Sequence, residues 1–136
     1  GPDSELEGSV RRMATLLVSG AKITSPHIAI FLRKGYGLGA QAMVGGSFHD
    51  PIYTASWPTG EFGGMGLEGA VKLGFRKELE AETDPKKKED LYNKLVERSY
   101  EKGKAIEAAA HLEIDAVIDP ADTRKVILKA LKNRFI

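Results

Sequence analysis

Two glycine-rich stretches hold the residues whose types and spacing can do chemistry. The first reads Arg33-Lys34-Gly35-Tyr36-Gly37-Leu38-Gly39-Ala40 and follows the apolar run Ile28-Ala29-Ile30-Phe31-Leu32. The second begins at Trp57-Pro58-Thr59-Gly60-Glu61, passes through Phe62-Gly63-Gly64-Met65-Gly66 and ends at Leu67-Glu68-Gly69-Ala70-Val71. Each lies between a predicted strand and a predicted helix, an arrangement that aims backbone N–H groups at whatever sits above the strand ends. Phosphate binding is one use of such a unit. No Lys-Ser or Lys-Thr pair follows either cluster, so the P-loop pattern is absent. Gly35-x-Gly37-x-Gly39 only loosely approaches the dinucleotide fingerprint, and the ribose-binding acid expected about 20 residues on is missing. An oxyanion hole asks for less: amide donors placed where negative charge develops, on a backbone that glycine allows to turn sharply. The same glycines also suit tight turns and close packing, and that alternative stands beside the first.

Side-chain chemistry is sparse. Ser47, Ser56 and Ser99 sit in no Gly-x-Ser-x-Gly elbow. His49-Asp50 has the look of a turn more than of a dyad. Glu61 and Glu68 flank the second glycine turn as candidate acid/base groups; equally, Glu68 caps a helix start and Glu61 is partly exposed. Tyr36 and Trp57 can stack on a flat ring or pack in the core. There is no cysteine, which excludes disulfides, thiolate zinc and a thiol nucleophile. The three histidines, His27, His49 and His111, are too scattered to mark a metal site, and none is expected. With 20 basic and 19 acidic residues, the charge gives no reason to expect nucleic acid or an anionic membrane surface. No apolar run nears the roughly 18–20 residues that span a bilayer, and no signal peptide is present, so a cytoplasmic protein is expected. Gly1-Pro2 is either native or a protease-cleavage scar, and the lack of an initiator Met suggests a start inside a larger protein.

These stretches need a scaffold. Residues 4–20 are predicted helical, capped by Ser4 and stopped by Gly20, with Val10, Met13, Ala14, Leu16 and Leu17 on one buried face. Pro26 forces extended chain, and residues 28–32 read as a strand buried on both faces. A short helix over 38–44 ends at Gly45-Gly46; strands are predicted over 52–57, 61–63 and 114–118. Further helices are predicted over 67–80, over 84–110 with Asp84 capping and Pro85 first, and over about 119–133 with Asp119 capping and Pro120 first. Lys86-Lys87-Lys88 reads as a solvated face. The order α-β-α-β-(β)-α-α-β-α defines an α/β chain, and it suits the later part of a repeated β-β-α architecture better than a complete doubly wound domain.

Four segments carry a resemblance: residues 33–43, Trp57-Pro58-Thr59-Gly60-Glu61, Met65-Gly66-Leu67-Glu68-Gly69-Ala70-Val71, and Ile114-Asp115-Ala116-Val117-Ile118-Asp119-Pro120-Ala121-Asp122-Thr123-Arg124. Together they resemble the carboxyltransferase (β) subunit of biotin-dependent acyl-CoA carboxylases, of the acetyl-CoA and propionyl-CoA kind. The resemblance implies a crotonase-like β-β-α superhelix, with residues 1–136 forming the C-terminal part of its second domain. It implies transfer of CO2 from carboxybiotin to the α-carbon of an acyl-CoA, with biotin on a separate carrier. It implies a biotin carboxyl carrier and a biotin carboxylase subunit as partners, and a dimer-based hexamer. It places a backbone oxyanion hole for biotin at the amides of Leu38 and Gly39. Many relatives have Gly where this chain has Leu38, so the register can shift to Gly39 and Ala40. By the same resemblance Gly37, Ala40, Gly64, Met65 and Gly66 contact biotin, and Gln41 lies near the substrate pocket. The isolated segment is expected to be inactive and to self-associate through exposed apolar surface. A related decarboxylase subunit and a non-catalytic assembly domain remain the competing expectations.

Overall fold

A computed structural model of the chain describes residues 2–134; Gly1, Phe135 and Ile136, and with Gly1 the question of the terminal Gly-Pro, lie outside the described residues. Two helices, α1 (Pro2–Leu6) and α2 (Ser9–Gly20), come first. Two successive strand-strand-helix units follow: β1 (Ile28–Phe31), β2 (Lys34–Tyr36) and α3 (Gly37–Met43), then β3 (Tyr53–Ser56), β4 (Glu61–Gly63) and α4 (Leu67–Gly74). Helices α5 (Arg76–Ala81), α6 (Pro85–Lys102) and α7 (Ala105–Ala110) lead to β5 (Ala116–Val117), and a 3-10 turn over Pro120–Asp122 opens α8 (Thr123–Arg134).

Equivalent strands of successive units stack in parallel. One sheet has the order β1-β3-β5 and the other pairs β2 with β4. Ile28 faces Tyr53 in the first register, and Lys34 faces Glu61 in the second. The connections copy each other as well: the Trp57 N–H donates to the Phe31 carbonyl at 2.8 Å and the Glu61 N–H to the Arg33 carbonyl at 2.9 Å. Each unit thus lays its backbone on the one before it, the geometry of a β-β-α superhelix.

Central strand β3 is buried throughout Thr54, Ala55 and Ser56. Its two hydroxyls are satisfied inside the protein, as burial requires: Thr54 Oγ1 donates to the Phe48 carbonyl at 2.6 Å and Ser56 Oγ to the Trp57 carbonyl at 2.8 Å. Phe62, Ala105, Ala108 and Ile114 form the core cluster, with Phe31 and Phe48 packed against it. The rings of Phe31, Phe48 and Phe62 meet edge to face, with centroids 4.9–5.8 Å apart, the arrangement that aromatic quadrupoles favour.

Several expected elements are corrected. The first helix breaks at Gly8, which adopts φ 80°, so Ser4 lies within α1 and caps nothing. None of the residues of α2 is buried: Met13 and Leu17 are partly covered, while Val10 and Leu16 are more than two-fifths exposed, so its apolar face is only partly covered by the described residues. β1 is only partly buried, with Ala29 alone fully covered. Strand β2 was not anticipated. The 67–80 helix bends at Phe75, just after Gly74, a poor helix former.

The 84–110 helix breaks for a specific reason. Lys104 alone is extended between α6 and α7, and it lies beside the free edge of β4, opposite Glu61. The Phe62 N–H donates to the Gly103 carbonyl at 2.7 Å and the Ala105 N–H to the Gly60 carbonyl at 3.0 Å. A continuous helix would leave that strand edge unpaired. Gly103 fits because a Cβ there would lie 2.8 Å from the Phe62 carbonyl oxygen. The expected caps at the next boundaries are present: Asp84 accepts from the N–H groups of Lys86 and Lys87 at 2.9 and 3.2 Å, and Asp119 from that of Ala121 at 2.8 Å.

Candidate active site

The site is built where β2 becomes α3. Tyr36 ends the strand in an extended conformation and is also the residue from which the helix starts. Gly37 then turns the chain with φ +56°. No side chain caps this helix. Leu38 and Gly39 are its second and third residues, and first-turn amides have no acceptor within their own helix. Leu38 is 50 % exposed, and a Cβ placed on Gly39 would touch nothing.

The second glycine turn approaches from β4. Gly37 packs directly on it: a Cβ at position 37 would lie 2.5 Å from the Gly64 carbonyl oxygen. The two turns therefore share one wall of a cleft of about 320 Å³. Gly37, Gln41, Gly63 and Gly64 form that wall, and Phe48 and Phe62 reach the lining from the aromatic core. Lys102, Glu107, His111 and Glu113, around α7, line the rest. Of the residues expected at the site, Gly37, Gln41 and Gly64 line this cleft. Leu38, Gly39, Ala40, Met65 and Gly66 stand next to it in the chain without lining it.

The four polar residues of the far wall were missed by sequence reasoning. They approach the glycine turns only because residues 103–105 bind the edge of β4, a tertiary pairing with no local signature beyond Gly103 itself. His111 Nδ1 lies 2.8 Å from the Glu107 carbonyl. A carbonyl only accepts, so in this contact the proton is on Nδ1.

The two glutamates flanking the second turn have tyrosine partners. The Tyr36 hydroxyl donates to Glu61 Oε2 at 2.6 Å, and the Tyr100 hydroxyl donates to Glu68 Oε1. Burial, and then the Glu61 hydrogen bond, push the Tyr36 phenol well above its ordinary range. The Glu68 bond raises Tyr100 to about 12, and the same bond, helped by Glu68's own N–H and by Lys34 and Lys72, lowers Glu68. Glu68 does not cap α4, whose cap residue is Gly66 with no side-chain bond. Glu61 is half-buried, as expected. Trp57 is tied to the last helix through Nε1, which donates to Thr123 Oγ1 at 3.0 Å. His49-Asp50 is a turn in which Asp50 accepts from the Ser47 N–H at 2.8 Å. Among the described residues no three His, Asp or Glu side chains gather to hold a metal, and no helix is long and apolar enough to cross a membrane.

Residues 1–134 match the model of the carboxyl transferase domain. The chain belongs to the carboxyl transferase domain family. Among curated proteins, the methylmalonyl-CoA carboxyltransferase 12S subunit of Propionibacterium freudenreichii subsp. shermanii is 38 % identical over 137 residues, covering 97 % of this chain and 25 % of that protein. Among solved structures, a single-chain, multi-domain long-chain acyl-CoA carboxylase is 51 % identical with a TM-score of 0.80, over 96 % of this chain and 12 % of that one. The transcarboxylase 12S structure, described as a hexamer with methylmalonyl-CoA bound, superposes with a TM-score of 0.82 at 34 % identity, over 97 % of this chain and 24 % of that one. The carboxyl transferase chain described here therefore spans about a quarter of the length of the curated relatives it matches. Its mixed α/β architecture with parallel strands is the crotonase-like fold of those structures.

Proposed function

We propose that the protein carrying this chain moves a carboxyl group from carboxybiotin to the α-carbon of an acyl-CoA. One observation carries the proposal: the two glycine turns meet backbone to backbone at Gly37 and Gly64 and form one wall of a single cleft. That cleft suits a flat ureido ring. At Gly37, Gly63 and Gly64 its wall has no side chain to hold a ring away from the backbone, and Phe48 and Phe62 contribute apolar lining. Biotin, when bound, supplies the carboxyl group and a ureido oxygen on which negative charge develops. The amides of Leu38 and Gly39, or of Gly39 and Ala40 in the shifted register, next to the cleft in the chain, would donate hydrogen bonds to that oxygen. Of the residues the resemblance assigns to biotin, Gly37 and Gly64 line the cleft and would hold the ring, with Ala40, Met65 and Gly66 next to them in the chain; Gln41, also in the lining, would face the acyl end. Preorganised donors of this kind need no proton of their own to move, and no serine or histidine of the chain acts as a nucleophile.

In this proposal residues 1–136 are the C-terminal part of the second crotonase-like domain, inactive alone, in a cytoplasmic, dimer-based hexamer. A biotin carboxyl carrier and a biotin carboxylase deliver the carboxyl group. An acetyl-CoA or propionyl-CoA substrate follows from the motifs. A long-chain acyl-CoA is the second candidate, favoured by the 51 % identity to the single-chain long-chain carboxylase against 38 % to the 12S subunit. The test is bicarbonate fixation by the complete protein with its carrier, comparing acetyl-, propionyl-, butyryl- and palmitoyl-CoA. Turnover of the short substrates selects the first assignment and turnover of palmitoyl-CoA the second. Decarboxylation of malonyl- or methylmalonyl-CoA with no fixation onto any acyl-CoA would overturn the carboxylase assignment.

A further inference from the structure

Tyr36 occupies two roles at once, as the last residue of β2 and the residue that starts α3. Its peptide link to Gly37 therefore sets where the glycine wall of the cleft lies. In the β2–β4 register Tyr36 stands opposite Gly63, while Glu61, two residues earlier on β4, stands opposite Lys34. The phenol reaches diagonally along the sheet, and its hydroxyl donates to Glu61 Oε2 at 2.6 Å in a partly buried setting. A hydrogen bond to a charged carboxylate is stronger than one between neutral groups.

Glu61 is itself held from both sides. Its N–H donates to the Arg33 carbonyl at 2.9 Å, and its backbone bridges to Lys104 on the other edge. The Lys104 ammonium is engaged elsewhere, with Glu101 at 2.6 Å, so Lys104 leaves the Glu61 carboxylate to the phenol. On the helix side, Gly37 is pinned against the Gly64 carbonyl. Beyond the β2–β4 ladder, one backbone contact and one side-chain bond join the first glycine turn to the second.

We infer that Glu61 is a positioning residue: by holding the Tyr36 phenol it fixes the Tyr36–Gly37 peptide, and with it the wall where Gly37 meets Gly64. The inference rests on the assignment of that cleft to carboxyl transfer. Neither side chain has to touch substrate. Sub-ångström placement of the wall is what the pair contributes, and displacements near 1 Å cost on the order of a hundredfold in rate.

The test uses the complete enzyme with its biotin donor, measuring kcat, KM for acyl-CoA and melting temperature for Tyr36→Phe, Glu61→Ala, Glu61→Gln, the double variant Tyr36→Phe/Glu61→Ala, and Gly39→Pro. Tyr36→Phe and Glu61→Ala should each lower kcat by roughly ten- to a hundredfold, with KM for acyl-CoA unchanged and melting temperatures near wild type. Glu61→Gln keeps an acceptor oxygen and should restore most of the rate. The double variant should be no worse than the worse single variant, because both break one bond. Wild-type kcat in folded Tyr36→Phe, or additive losses in the double variant, would overturn the inference. If Gly39→Pro is inactive while Tyr36→Phe is unimpaired, only the positioning role fails. If folded Gly39→Pro is fully active, the cleft assignment fails and the positioning role falls with it.

Discussion

Gly37 and Gly64 touch backbone to backbone: a Cβ at position 37 would lie 2.5 Å from the Gly64 carbonyl oxygen, and Gly37 adopts φ +56°. Two independent constraints thus require glycine at one position. Gly39, two residues on, has neither: nothing lies within 4 Å of an added Cβ, and its φ is not in the left-handed range.

The contrast yields a paired prediction. Gly37→Ala pays about 1–2 kcal/mol for the left-handed backbone and must also displace the Gly64 carbonyl. It should melt lower and lose carboxyl transfer. Gly39→Ala should change stability by less than about 1 kcal/mol and keep most of the activity. Denaturant titrations and turnover of both variants check this; equal tolerance of alanine at the two positions would show that the turns are not locked together.

Phe62 is 6 % exposed and meets both Phe31 and Phe48 edge to face in a triangle of rings. Phe62→Ala should cost about 3–5 kcal/mol of folding stability, read from denaturant midpoints at an unchanged m-value. A loss below about 1 kcal/mol would mean that the core collapses around the gap more completely than close-packed interiors allow.

The Tyr100–Glu68 bond joins α6 to α4, and its pH window follows from the two shifts. Glu68 is lowered in the folded state, so its share of stability is present above the ordinary carboxylate value of 4.5 and is lost as pH falls through the lower folded value. Tyr100 is raised from 10 to about 12, so its share is fully present below pH 10 and is lost as pH rises through about 12. The melting-temperature difference between wild type and Tyr100→Phe should therefore be flat around neutrality and vanish towards pH 12. A difference that persists unchanged at pH 12 would contradict the bond.

Much of the scaffold was legible because its signals are local. The apolar runs around β1 and β3, Asp84-Pro85 and Asp119-Pro120 at helix starts, and Gly45-Gly46 after α3 all state their roles within a few residues. What escaped depends on distant partners. β2, with the sequence Lys34-Gly35-Tyr36, has no apolar alternation, and it is a strand only because β4 lies beside it. The break after Lys102 serves the free edge of β4, and the apolar stripe of α2 looked buried because periodicity reports a face without naming what covers it. The site divides the same way. The glycine turns were visible as motifs, whereas Lys102, Glu107, His111 and Glu113 reach the cleft through the path of α7. The Tyr36–Glu61 bond depends on the register between two short strands.

The central claim is that backbone N–H groups of the first glycine turn, not side chains, stabilise charge during carboxyl transfer. Leu38→Ala keeps every amide and should retain most activity in the complete enzyme. Gly39→Pro removes one donor, and losing such a donor costs about 3–4 kcal/mol, or roughly 10²–10³ in rate. The decisive measurement is kcat of Gly39→Pro with the biotin donor, in protein whose melting temperature shows it to be folded. A fall of that size with acyl-CoA affinity unchanged is the predicted result. Wild-type kcat in folded Gly39→Pro would show that the turn is architecture and that the charge is held elsewhere.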